Sequence, residues 1–310
     1  MADYFIFDSH THIYRTQDIG RQALGGLNPN LRHFGTIPEL EQVVEGNGVS
    51  GAIVLTVTPT REMREKEVAG LSDELNPGER AARLKEINEV LLGRLDRNNS
   101  WGCEVGREHP QFLPFINLDP FLMDGESLGR YVRKKVAQGA RGIKLLPMQH
   151  LFYGNEPALW PAYQVANELG LPILSQSGGG RPPPGQPDPW GRPKYFAEVL
   201  EAFPNITLIL AHFGTGFEDE MVELVQRYPN VYPDISTRLI SEVNPNRNRG
   251  WTPEEAVDWI RKAGAERVLF ATNWPIRDQT ADLEAFHSLR LSEEEKRMVL
   301  GENAKRILGL

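Results

Sequence analysis

The segment Tyr4–His12 reads YFIFDSHTH, and its apolar first half predicts a buried strand. His10 and His12 follow at the carboxyl end of that strand. Residues two apart on an extended backbone point the same way, so the two imidazoles can converge on one point. Two converging neutral imidazoles make half of a zinc, manganese or iron site.

Strand patterns and helix patterns alternate along the rest of the 310 residues. Alternation of this kind predicts a parallel sheet. Eight repeats favour one α/β domain over residues 1–310, a (β/α)8 TIM barrel with extended loops after its strands. A doubly wound open sheet is the alternative, although no Gly-x-Gly-x-x-Gly stretch follows a strand. The eight candidate strands are Tyr4–Asp8, Gly51–Val57, Phe112–Leu118, Gly142–Leu146, Pro172–Ser175, Ile206–Ala211, Val231–Ile235 and Arg267–Ala271.

The composition is that of a globular protein and argues against several classes of function. Apolar residues make up 40% and charged residues 25% of the chain. The net charge is −8 with no block of basic residues, so no nucleic-acid partner is expected. The single cysteine, Cys103, excludes an intrachain disulfide and a cysteine zinc cluster. No leader pattern precedes the first strand and no run of about 18 apolar residues occurs, which predicts a cytoplasmic protein without a membrane span.

Side chains able to bind ligands or transfer protons stand at or near the carboxyl ends of the later strands. Any one of them has an ordinary structural explanation, such as capping a turn. Because a barrel gathers these strand ends at one mouth, where its active site lies, they are expected to form a ring with His10 and His12. The other members of the ring are Lys144 in the fourth strand, Gln176 after the fifth, His212 after the sixth, Asp234 in the seventh and Asn273 after the eighth.

The order and spacing of these motifs resemble those of the amidohydrolase superfamily, specifically the amidohydrolase-related (amidohydrolase-2) group. The resemblance runs from Asp8 to the carboxyl terminus. It implies a TIM barrel that holds a divalent metal, zinc first and manganese second, on His10, His12 and His212. The motifs that carry it are Asp8–His12 (DSHTH), Arg141–Leu145 (RGIKL), Pro157–Pro161 (PALWP), Leu171–Leu174 (LPIL), Ala211–Gly214 (AHFG) and Gly301–Leu310 (GENAKRILGL).

Two positions depart from the family pattern. The family has a histidine after strand five and an aspartate after strand eight, where this chain has Gln176 and Asn273. The family aspartate binds the metal and is the base for water, whereas asparagine cannot accept a proton near neutral pH. Metal occupancy is therefore left open, although three imidazoles alone can hold Zn²⁺. A metal-free His212 is the first candidate for the base because its unperturbed pKa lies near neutrality, Asp234 is the second, and Lys144 is also assigned to catalysis.

The loop after the fifth strand, residues 177–191, is rich in glycine and proline. We interpret it as a lid that presents Arg181 and Trp190 to a ligand, with a plain surface loop as the alternative. The residues expected to contact the substrate are Arg181, Gln176, Asn273 and Trp274. Further arginines that suit a carboxylate follow the seventh strand at Arg238, Arg247 and Arg249.

The resemblance implies an enzyme that acts on a small carboxylated molecule by hydrolysis or by non-oxidative decarboxylation. The alternatives are a metal-independent, lactonase-like enzyme and a non-catalytic barrel that binds a small ligand. A related phosphoesterase or nuclease ranks last, since it needs the missing strand-eight aspartate. A small-molecule substrate is the expected partner, and a homodimer is a further possibility.

Overall fold

The computed structural model describes residues 4–26, 31–123, 125–239 and 250–310. Seven parallel strands form one curled sheet in which each strand pairs with its neighbour in the chain. This is the pattern of an α/β barrel, so the predicted fold class is confirmed. The strands are β1 Phe7–His12, β2 Gly51–Leu55, β3 Phe112–Asn117, β4 Gly142–Leu145, β5 Ile173–Ser175, β6 Leu208–Leu210 and β7 Val231–Pro233.

The eighth predicted strand occupies the expected place but is not a regular strand. On one side, the Leu269 N–H donates to the carbonyl of Pro233, the last residue of β7, at 3.0 Å. On the other side, the Ser9 N–H in β1 donates to the Phe270 carbonyl at 3.0 Å. The ladder is interrupted because the next donor, the Thr272 N–H, bonds to the carboxylate of Asp8 instead of a carbonyl. The segment therefore bridges the two edges of the sheet through a few backbone hydrogen bonds, without forming a regular strand.

Asp8 joins β1 to this bridging segment. Its carboxylate accepts from the Thr272 N–H at 3.0 Å, the Thr272 hydroxyl at 2.5 Å and the Gln279 amide at 2.8 Å. It also accepts from the His10 N–H at 3.2 Å. Asp8 is fully buried, and this burial raises the pKa of its carboxyl to about 6. The Asp8 carboxylate is thus the main polar link across the seam of the barrel.

Replacing Asp8 with alanine is expected to lower the free energy of unfolding by about 3 kcal/mol or more, since each stranded buried donor costs roughly 1–3 kcal/mol. Asp8→Asn keeps one acceptor oxygen and should lose less. Urea denaturation followed by circular dichroism measures both, with Asp18→Ala on an exposed helix face as the control. Equal midpoints for Asp8→Ala and Asp18→Ala would show that the seam does not depend on this carboxylate.

Helices follow the strands and cover the outside of the sheet. No helix within the described ranges is long and apolar enough to cross a membrane. The α-helices are α1 Gln17–Leu24, α2 Ile37–Gly46, α3 Thr60–Ala69, α4 Pro77–Glu108, α5 Gly125–Ala137, α6 Pro147–His150, α7 Trp160–Leu169, α8 Ala197–Ala202, α9 Glu218–Arg227, α10 Pro253–Ala263, α11 Gln279–His287, α12 Glu293–Arg297 and α13 Asn303–Leu308.

An apolar cluster formed by alternate strand residues fills the interior beneath the mouth, and α13 packs against it. Because side chains alternate along a strand, the next inward positions toward the mouth are two residues further on. Gln176 thus lies above Leu174, and Asp234 above Tyr232, on a dry apolar floor. The buried members of the cluster are Phe7, Ile53, Leu55, Leu113, Phe115, Leu174, Ile209, Ala211, Tyr232, Leu269, Ala304 and Leu308.

Candidate metal centre and active site

Three imidazoles meet at the mouth of the barrel. The ring centroids of His10 and His12 lie 5.2 Å apart, and those of His10 and His212 also lie 5.2 Å apart. His10 and His12 come from the end of β1, whereas His212 belongs to the turn after β6. The structure therefore brings together the three histidines that the sequence selects from opposite parts of the chain.

The His10 ring is held by Asp234. Nδ1 of His10 lies 2.9 Å from Oδ2 of Asp234, and an ionised carboxylate can only accept a hydrogen bond. Nδ1 therefore carries the proton, and Nε2 keeps its lone pair. That lone pair faces Nζ of Lys144, at 3.4 Å. A histidine that donates to a carboxylate on one side and offers a lone pair on the other is arranged as metal-binding histidines are.

The His12 ring is held by Asn273. Nε2 of His12 lies 2.9 Å from Oδ1 of Asn273, an amide oxygen that can only accept, so Nε2 carries the proton. Nδ1 then bears the lone pair, and this atom is buried with no hydrogen-bond partner in the described part of the chain. Oε1 of Gln176 is buried and unpartnered as well. Two buried acceptor atoms without partners fit a cation or a hydrogen-bond donor of a ligand.

Asp234 anchors the opposite side of the site. Its Oδ1 accepts from the backbone N–H groups of His212, at 2.9 Å, and Ser236, at 3.0 Å, and from the Ser236 hydroxyl. Donor atoms of His10, His212 and Asp234 lie within 4.8 Å of one another, which is close enough for a shared metal ion. Both Asp234 oxygens are already hydrogen-bonded, however, so this carboxylate is placed to orient the imidazoles around it.

Burial keeps the cationic forms at this site unfavourable. It lowers the pKa of His10 and His12 well below the usual value, and it lowers the pKa of His212 to about 4. The pKa of Lys144 falls to about 7 for the same reason, although the Asp234 charge opposes the shift. The imidazoles are therefore neutral at pH 7 and able to act as ligands. His212 is a weaker base than its unperturbed pKa implied.

The backbone around the site is held in an uncommon conformation. His212, Thr237 and Asn273 all have positive φ, at 59°, 66° and 65°. Positive φ is uncommon outside glycine and is a marked outlier for a β-branched residue such as Thr237. Strained residues of this kind cluster at functional sites, where the surrounding structure holds them in place.

The four residues expected to contact the substrate lie in different surroundings. Gln176 lies at the mouth, and Asn273 contacts His12. Trp274 is only 1% exposed and belongs to the apolar core, with its ring 5.8 Å from that of His33. Arg181 has a side chain that is 62% exposed and pairs with Asp219, which places it on the outer surface.

The loop that contains Arg181 is anchored at its far end by aromatic contacts. Trp190 packs against Tyr153 with ring centroids 4.5 Å apart. Of the three arginines after β7, Arg238 is buried and pairs with Glu218 at 2.9 Å. Arg247 and Arg249 lie outside the described residues.

Sequence reasoning missed Ser236 as a component of the site. Its hydroxyl touches Asp234 and lies 2.8 Å from Nδ1 of His212. The signal that could have revealed it is positional, because Ser236 comes two residues after Asp234 and so shares its side of the extended chain.

A sequence profile of the amidohydrolase family matches residues 8–310. The chain belongs to the amidohydrolase family. The family inferred from the motifs is thereby confirmed, and family membership with decarboxylase relatives supports an enzyme of the hydrolase or lyase class.

Similar proteins agree with this placement. The gamma-resorcylate decarboxylase of Rhizobium radiobacter is 26% identical over 179 residues, which cover 53% of this amidohydrolase and 48% of that enzyme. The chain thus spans about half the length of the curated relatives it matches.

Solved structures support the barrel fold. An uncharacterised TIM-barrel protein from Bordetella bronchiseptica has a TM-score of 0.67 at 18% identity, with 98% of each chain covered. A dihydroxybenzoic acid decarboxylase from Polaromonas sp. JS666, solved with manganese and 2-nitroresorcinol, has a TM-score of 0.63 at 17% identity. That comparison covers 99% of this chain and 97% of the Polaromonas chain.

Proposed function

We propose that this amidohydrolase catalyses the non-oxidative decarboxylation of a small hydroxylated aromatic carboxylate. The observation that carries the proposal is the set of three neutral imidazoles at a buried mouth in which no strand-end carboxylate is free to activate water. The gamma-resorcylate decarboxylase relatives supply the substrate class.

The carboxylates available at the mouth argue against hydrolysis. Hydrolysis needs a base for the attacking water. Within the described residues, the three aspartates at or just after strands β1, β3 and β7 already accept hydrogen bonds on both oxygens. They are Asp8, Asp119 and Asp234. The position where the family has its base is Asn273, which cannot take a proton. Decarboxylation needs no attacking water, so the loss of this base is compatible with it.

The donor atoms fit a divalent cation. The rings of His12 and His212 each lie 5.2 Å from that of His10, His12 Nδ1 and Gln176 Oε1 are buried acceptors without a partner, and donor atoms of His10, His212 and Asp234 lie within 4.8 Å of one another. Such nitrogen and oxygen donors suit Zn²⁺ or Mn²⁺. A bound cation would supply Lewis-acid stabilisation of negative charge on the substrate. The Polaromonas decarboxylase with manganese favours Mn²⁺ as the first metal to test.

The chain's own groups bind and desolvate the substrate. Lys144, at 1% exposure, places an amine donor beside His10, and its protonated form can pair with a carboxylate. The apolar floor beneath the mouth removes water from that carboxylate, which destabilises its charge relative to neutral CO₂. The ring–carboxylate C–C bond then breaks, its electron pair stays on the ring carbon, and one proton adds to that carbon as CO₂ leaves.

The test is conversion of gamma-resorcylate to resorcinol in the presence of Mn²⁺ or Zn²⁺, followed by chromatography. In D₂O, the resorcinol should carry one deuterium at the carbon that lost CO₂. Benzoate, which has no ring hydroxyl, is the matched control and is expected to remain intact.

Aromatic lactones and anilides are the substrates that separate decarboxylation from hydrolysis. Turnover of a lactone or an anilide, together with inert hydroxybenzoates, would overturn the proposal in favour of a hydrolase. Binding of resorcylate without turnover under any metal would favour the non-catalytic barrel.

A further inference from the structure

We propose that Ser236 is a positioning residue that locks His212 in the tautomer with its proton on Nδ1, so that the Nε2 lone pair is available to the site. The use of that lone pair for metal binding rests on the function proposed above. The tautomer itself follows from hydrogen bonding within the chain.

The Ser236 hydroxyl has one proton, and its partners determine where that proton goes. Oγ contacts Oδ1 of Asp234, a carboxylate oxygen that can only accept, so the hydroxyl donates there. Toward His212, the same oxygen must therefore act as an acceptor. Nδ1 of His212 lies 2.8 Å from Oγ, which is the distance of a well-formed hydrogen bond. The proton of this contact comes from Nδ1.

A second contact points to the same tautomer independently of the hydroxyl. The backbone carbonyl of Ser236 lies 3.3 Å from Nδ1 of His212, and a carbonyl oxygen can only accept. Both acceptors of Ser236 thus face one ring nitrogen. The alternative tautomer would set the Nδ1 lone pair against the lone pairs of both Ser236 oxygens, and only the Thr237 hydroxyl, at 3.4 Å, would remain as a donor to it.

Ser236 is itself firmly fixed. It is fully buried, and its N–H donates to Oδ1 of Asp234 at 3.0 Å. The strained Thr237 follows it in the chain, and the strained His212 faces it. One carboxylate therefore sets both imidazoles: Asp234 acts on His10 directly and on His212 through Ser236. This arrangement extends the pattern in which an outer carboxylate orients a metal-binding histidine.

The direct measurement is long-range ¹H–¹⁵N correlation of the protein with labelled histidine, made metal-free by chelation. His212 is assigned from the signals missing in His212→Gln. We expect a protonated Nδ1 and an unprotonated Nε2 for His212 in the unmodified chain. A spectrum with the His212 proton on Nε2 would refute the positioning role proposed for Ser236. This test needs no Ser236 variant.

Variants then test whether the hydroxyl is the cause. Ser236→Ala keeps the backbone carbonyl but removes the hydroxyl acceptor, so it should raise the Nε2–H population of His212 and weaken Mn²⁺ binding by about 10-fold. Ser236→Thr keeps a hydroxyl and should retain the original tautomer. Ser177→Ala is the matched control, because it removes a buried hydroxyl that donates to the Ala211 carbonyl. It should change neither the tautomer nor the Mn²⁺ affinity.

The outcomes separate this inference from the proposed function. An unchanged His212 spectrum in a folded Ser236→Ala protein would refute the role of the hydroxyl, whatever the enzyme does. A shifted tautomer with no decarboxylation of any hydroxybenzoate would uphold the role of Ser236 and refute the proposed reaction instead.

Discussion

Replacing both His10 and His12 with alanine is expected to lower Mn²⁺ affinity by more than about 100-fold, beyond the loss that changes in outer hydrogen-bonding partners give. It should also reduce decarboxylation to background. The double substitution removes two of the three imidazoles at the mouth, and His212 alone cannot hold a dication against water. Equilibrium dialysis followed by elemental analysis measures the bound metal.

His109→Ala is the matched control for this variant. His109 comes just before β3, at the opposite end of the barrel from the mouth, and pairs with Glu41 at 2.8 Å. The His109→Ala variant should leave the metal content of the protein unchanged. Undiminished metal in the folded double variant would place the ion elsewhere, and the group formed by His212 and Asp234 would then be the next site to test.

Restoring the family residues at both amide positions should have the opposite effect. Asn273→Asp with Gln176→His is expected to raise metal affinity by about 10-fold or more, since each factor of ten corresponds to about 1.4 kcal/mol. The aspartate adds a negative charge near a sheltered dication, an interaction worth several kcal/mol. Its backbone fits, because aspartate tolerates the positive φ of 65° that Asn273 adopts.

Titration with Mn²⁺ followed by calorimetry compares this variant with the parent. Asn88→Asp on α4 is the control. It changes the net charge by the same amount as the double variant but away from the mouth, and its side-chain oxygen can still accept from Nε of Arg64. Binding no tighter than that of the parent would mean that positions 176 and 273 do not face the ion.

Local patterns in the sequence were sufficient for most of the fold. Seven strands were predicted with errors of a few residues. The Thr-Pro-Glu-Glu pattern at residues 252–255 is typical of a helix start, and the Thr252 hydroxyl caps α10 by accepting from the Glu255 N–H at 3.2 Å. β1 was placed too early because all of it after Phe7, Asp8–His12, is polar and resembles a loop. These side chains are buried because His10 and His12 line the site and Asp8 bonds across the seam.

Tertiary contacts decided what the local patterns missed. The helix pattern in the sequence fades at the polar run that follows residue 96, yet α4 continues to Glu108 because Asn99 in that run is buried. Asn99 in that run donates to the Asn117 carbonyl at 2.8 Å and to the Tyr131 hydroxyl at 2.9 Å. In the same way, the irregular eighth strand and the orienting role of Asp234 depend on partners far away in the chain.

The seam of the barrel also determines when the site can exist during folding. Thr272 lies 264 positions from its partner Asp8, and Asn273 lies 261 positions from its partner His12. A chain emerging from the ribosome therefore carries its first two imidazoles long before the residues that orient them. A complete site forms only after the barrel closes, so metal loading is linked to the last step of folding, and a chain truncated before Thr272 would lack the partner that holds His12.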